Sequence, residues 1–101
     1  MSGVLYVSSC RSCGRRAFPP RALCPHCGGA AWSREPAGQG VVEEATRVGA
    51  VSLASVRLDA GPVVVARLDA DAGPGDRVEL HTVDGAPVAV EATSRAHRST
   101  A

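Results

Sequence analysis

Cys10, Cys13, Cys24 and Cys27 make two Cys-x-x-Cys pairs separated by ten residues, and the chain of 101 residues has no other cysteine. Thiolates are soft ligands, and a structural zinc site takes four of them at tetrahedral corners about 2.3 Å from the ion. A Cys-x-x-Cys turn aims two sulfurs at one point. A glycine directly after the second cysteine supplies the positive φ that such a turn requires. Both pairs have it, as Cys13-Gly14 and Cys27-Gly28. Two such knuckles joined by a short hairpin describe a zinc ribbon. Metal binding on the scale of zinc-finger peptides, roughly 10–16 kcal/mol, exceeds what so short a segment obtains by packing.

Three other uses of the thiols compete. Iron in the same cage makes a rubredoxin-like electron carrier, but rubredoxins separate their pairs by a much longer insert with several aromatics, so zinc is the expected ion. A thioredoxin-type redox pair needs one knuckle beside a βαβ unit, and no such pattern is present. Disulfides rarely persist in a reducing compartment. The opening MSGVLYVSSC lacks the basic region and the apolar length of a secretion signal, so a cytoplasmic location is expected. With all four positions filled by cysteine, the site is closed and leaves no open coordination for catalysis. His26 lies inside a knuckle and reads as a solvated spacer.

The elements that must carry this site are short. One domain or two very small modules fit the length. Only Tyr6, Phe18 and Trp32 are aromatic, so the core must be built mainly from Val, Leu and Ala. No run of apolar residues is long enough to span a membrane as a helix. The net charge of +1 hides an asymmetry: residues 1–35 hold Arg11, Arg15, Arg16, Arg21 and Arg34 against one acid, Glu35, whereas the remainder is acidic.

Composition shifts near Glu35-Pro36-Ala37-Gly38-Gln39-Gly40. The sequence therefore divides into a ribbon over residues 1–36, a barrel-forming segment over 37–93 and a disordered tail over 94–101. Strands are predicted at Val41–Val48, Val51–Leu58, Val63–Leu68, Arg77–Val83 and Val88–Ala92, separated by turn residues. In Arg77–Val83, Val78 and Leu80 face one way and Arg77, Glu79 and His81 the other. Asp84-Gly85 is a type I′ hairpin signal. Apolar parity slips within Val51–Leu58, which predicts a bulge near Ala54 or Ser55. The predicted fold is all-β: a four-cysteine ribbon followed by a small five-stranded OB-fold-like barrel. A three-stranded sheet plus a hairpin is the competing arrangement.

Cys-x-x-Cys-Gly, then Phe18-Pro19-Pro20-Arg21, then Cys-Pro-x-Cys-Gly, then Trp32, then Gly38-x-Gly40-Val41-Val42 with Thr46, resembles the acyl-CoA-associated zinc-ribbon/OB-fold family over roughly residues 8–92. That resemblance implies a non-catalytic companion of thiolase-superfamily enzymes, bound to a thiolase, aldolase or ketosynthase-type partner in a hetero-oligomer. It also implies Cys10, Cys13, Cys24 and Cys27 as metal ligands, a partner contact through Phe18, Pro19, Pro20 and Arg21, and a possible contact of the barrel with acyl-CoA. Arg15, Arg16 and Arg21 are suited to an acidic patch or to phosphates. The bland role of Phe18 and the prolines is to cap the ribbon core.

The alternative function is single-stranded nucleic-acid binding, common to ribbons and OB-folds. An OB groove for single strands pairs positive charge with aromatic platforms. The barrel segment here is acidic and has no aromatic residue, which disfavours it. His81 and His97 are isolated, Asp69 and Asp71 sit in a loop, and Gly73-Pro74-Gly75 is a turn. No catalytic constellation emerges from these residues.

Overall fold

The structure, a computed structural model, describes residues 2–92. The tail expected at residues 94–101 lies outside the described residues. Nine strands are present among them and no helix: β1 (Ser2–Val4), β2 (Tyr6–Cys10), β3 (Arg16–Ala17), β4 (Trp32–Pro36), β5 (Gln39–Val48), β6 (Val51–Leu58), β7 (Val63–Leu68), β8 (Arg77–Val83) and β9 (Ala86–Glu91). The small sheet has the order β3-β2-β4 and carries the knuckles.

Strands β5 to β9 close on themselves. β5 pairs with β6, β6 with β7, β7 in parallel with β9, β9 with β8, and β8 with β5. This is a five-stranded barrel with OB-type connectivity, as the sequence predicts. Closure through β9, which touches both β7 and β8, rules out the sheet-plus-hairpin arrangement. The loop between β7 and β8, in which OB-folds place a crossover, is short and docks on β5. Gly75 donates its N–H to the Val42 carbonyl at 2.8 Å, and Val42 donates to the Asp76 carbonyl at 2.9 Å.

Period-two alternation decides what faces inward. In β7, Val64, Ala66 and Leu68 are buried while Val63 and Val65 are exposed. In β8, Val78 and Leu80 point into the barrel, as expected from the sequence. Burying each such side chain fully contributes about 1.5–3 kcal/mol. The Asp84-Gly85 turn adopts positive φ at both positions, 53° and 83°, as the hairpin signal requires. Gly40 sits where β5 crosses β6, and a Cβ there would strike the carbonyl of Arg57 and the Cα of Leu58.

The expected bulge needs correction. β6 alternates regularly, with Ala54, Val56 and Leu58 inward. The register shift lies in the partner strand, between Val42 and Glu44 of β5. The apolar residues Val51 and Leu53 simply occupy the outer face. Parity within one strand cannot say which member of a pair holds the extra residue, nor that an outward position will be apolar.

The sequence also conceals the start of the chain's role. β1 pairs antiparallel with β8, Val4 opposite His81, so the first residues join the barrel sheet before the ribbon begins. Leu5 and Val7 then enter the same hydrophobic cluster as Val42, Val56, Val64 and Val78. Ribbon and barrel share one core.

Candidate metal centre

Each knuckle is built by the same hydrogen bonds. Gly14 donates to the Cys10 carbonyl at 2.8 Å and Gly28 to the Cys24 carbonyl at 2.8 Å. Cys10 donates to the Arg15 carbonyl, and Cys24 to the Gly29 carbonyl, each at 2.7 Å. The glycines take φ of 81° and 79°, the left-handed region that the Cys-x-x-Cys-Gly spacing predicts. Strand β2 delivers Cys10 from the shared core, so one knuckle is anchored directly to the barrel.

The four sulfurs lie within 4.8 Å of one another. Cys10 and Cys27 approach to 3.6 Å, and Cys13 and Cys24 to 3.7 Å. An ion bound at about 2.3 Å to four tetrahedral sulfurs requires sulfur–sulfur separations of about 3.8 Å. The donor set therefore fits a four-thiolate ion in size and shape. All four cysteines are free thiols, with Cys10 and Cys24 buried and Cys13 and Cys27 exposed.

Electrostatics agree with the geometry. The Cys10 thiol is lowered to about 6, first by the Cys13 N–H and then the Ser12 N–H, against the effect of burial. Cys24 is lowered as well, chiefly by the Cys27 N–H. Cys27 is pushed up to about 12. The Gly29 N–H pulls it down, but its hydrogen bond to Cys10, burial, and the Cys13 and Cys24 sulfurs outweigh that pull. Backbone donors thus favour thiolates, while crowding prevents all four from ionising together. A cation at the centre relieves that conflict.

The other singled-out residues separate. Phe18 is half-buried and packs against the core. Pro19, Pro20 and Arg21 are exposed. Arg16 donates to Glu35 at 2.9 Å, an exposed pair that adds little stability. Arg15 and Arg16 flank a groove of about 310 Å³ that includes Pro25, exposed His26 and Trp32. His26 contributes its backbone N–H to the Cys24 sulfur at 3.4 Å rather than a ring nitrogen. Arg34 stacks over the Tyr6 ring at 4.1 Å, tying β4 to β2. Sequence reasoning overlooked Leu5 and Val7 as the link between site and barrel. The apolar run Val4-Leu5-Tyr6-Val7 was the available signal.

Ribbon and barrel together define a metal-ribbon protein with an OB-like barrel. Residues 1–33 match the family described as ChsH2, rubredoxin-like zinc ribbon domain. Residues 25–95 match the TOBE domain, and the chain belongs to that family, with a ChsH2-type ribbon at its head. A solved structure described as Ltp2-ChsH2(DUF35) aldolase is similar with a TM-score of 0.72 and 26% identity, over 89% of this chain and 86% of that chain. The resemblance drawn from the sequence is thereby borne out. No curated protein matches the chain.

Proposed function

We propose that this chain is a non-catalytic accessory subunit that binds and stabilises a thiolase-superfamily enzyme acting on acyl-CoA or β-ketoacyl thioesters. The observation that carries the proposal is the similarity, across nearly the whole chain, to a structure whose description joins Ltp2 and ChsH2 as an aldolase. The ion is zinc, held by Cys10, Cys13, Cys24 and Cys27, and its role is to stiffen the ribbon. The chemistry it supplies is structural cross-linking through four thiolates.

The ribbon presents Arg15, Pro19, Pro20 and Arg21 to solvent, a basic face suited to an acidic patch on the enzyme. Phe18 serves the core and contributes to docking only by fixing this loop. A stable complex of this kind buries about 1,200–2,000 Å².

Co-expression with thiolase-fold enzymes from the same source tests the reading. A tagged copy of this chain should bring one such enzyme through size-exclusion chromatography as a hetero-oligomer. Elution of every candidate enzyme alone would overturn the reading. Elemental analysis should give one zinc per colourless chain, whereas red protein with iron would replace zinc by iron.

A further inference from the structure

Among the described residues, β5 presents a long open edge. β5 pairs with β8 only through Gln39, Gly40 and Val41, and the β7–β8 loop covers Val42. From Glu43 to Val48 its only ladder among the described residues is the one with β6. Six residues at about 3.3 Å each give roughly 20 Å of strand. Along it, alternate N–H and C=O groups point away from β6 and toward solvent.

Beside this edge the outer face is apolar. Val48 and Val65 are each 62% exposed and Val51 is 43% exposed. A groove of about 390 Å³ crosses the same region, lined by Glu44, Thr46, Leu53, Ser55, Val65 and Pro74. Glu43 is engaged by Arg57 at 2.6 Å. Glu44 is exposed and makes no ion pair among the described residues.

We infer that residues 43–48 accept an extended strand of the partner enzyme, added to the barrel by main-chain pairing. This rests on the accessory-subunit reading above and names the surface and the partner's chemistry. A helix could cover the valines but would leave the strand's outward groups unpaired. An extended segment satisfies both, because its backbone continues the ladder while alternate side chains lie against Thr46 and Val48 on the outer face of β5. Glu44 selects a segment with a basic residue facing it. A second copy of this chain fits poorly. Six residue pairs bury on the order of several hundred Å² in total, short of the roughly 1,200 Å² of a stable dimer. An enzyme already held by the ribbon needs no such area from this edge alone.

Hydrogen exchange on the purified complex with the co-expressed thiolase-fold enzyme tests the inference. Alternate amides within 43–48 should exchange at least ten-fold more slowly in the complex than in the free chain. The double variant Thr46→Lys, Val48→Lys, at exposed positions of the edge strand, should keep the fold and weaken the complex about ten-fold or more. A complex that forms with unchanged exchange at 43–48 and full tolerance of the double variant would overturn this inference while leaving the accessory role standing. Failure of every such enzyme to associate would overturn both. Protection of these amides in a homodimer of the free chain would assign the edge to a second copy and overturn the inference.

Discussion

The backbone N–H of Ala37 donates to the carbonyl of Leu5 at 2.7 Å, and both side chains lie in the barrel core. These residues bracket the ribbon: Leu5 precedes its first strand and Ala37 follows its last. The ribbon is thus an excursion from the barrel, closed at its base by this bond and at its tip by the cysteines. The chain runs from Leu5 and Val7 in that core along β2 to Cys10 at the tip.

Metal removal should therefore weaken the whole molecule. The chelated protein, or Cys24→Ser, should unfold in one broadened transition with Tm lowered by at least about 10 °C, since about 2 kcal/mol shifts a domain of this size by that amount. Calorimetry with and without a strong chelator measures it. A barrel melting at an unchanged temperature after the ribbon is lost would show that the two are uncoupled.

Acid should release the ion. Cys10 is held at about 6, below the ordinary thiol range, so the folded site favours its thiolate. A depressed thiol contributes stability above its unfolded value, and that contribution is lost as pH falls through the folded one. The window here runs from the ordinary thiol range down to about 6. Ligation requires deprotonated sulfur, so release measured with a chromogenic chelator should set in below that value. A Cys10→Ser chain that held the ion with the same affinity and the same acid sensitivity would contradict the assignment of Cys10 as a ligand.

Gly40→Ala should be costly for a steric reason. The added carbon meets the rigid backbone of Arg57 and Leu58, so β5 and β6 must separate. Overpacking of this kind costs about 1–3 kcal/mol. Gly73→Ala is the control, because nothing lies within 4 Å of its added carbon and its φ is not positive. Urea midpoints should fall markedly for the first and change little for the second.

Val56 and Val65 test the alternation directly. Val56 is fully buried in β6, whereas Val65 on β7 is 62% exposed. Val56→Ala should cost about 2–3 kcal/mol in chemical unfolding. Val65→Ala should stay within about 0.5 kcal/mol. Equal losses would mean that β7 presents the opposite face.

Much of this was legible in the residues. The limits of β6, β7 and β8 follow from the runs Val51–Leu58, Val63–Leu68 and Arg77–Val83, because turn residues bound each one. The cysteine cage follows from spacing alone, since Cys-x-x-Cys-Gly encodes its own turn. β1 did not emerge, because a three-residue strand is defined only by its distant partner β8. The bulge went to the wrong strand for a related reason: register belongs to a pair of strands, and one sequence segment shows half of it. Phe18 resisted assignment because an aromatic beside two prolines suits a core cap and an exposed contact equally. Its packing against the shared core supports the cap.

The central claim is that this chain acts by holding an enzyme, with its metal-bound ribbon as the gripping element. The most direct test is to purify the co-expressed thiolase-fold enzyme, strip this chain from it, and assay acyl-CoA turnover while adding back either the native chain or Cys24→Ser. The account predicts that activity is lost on stripping, returns in proportion to the native chain added, and does not return with the variant. Full activity of the stripped enzyme, or equal rescue by Cys24→Ser, would contradict it.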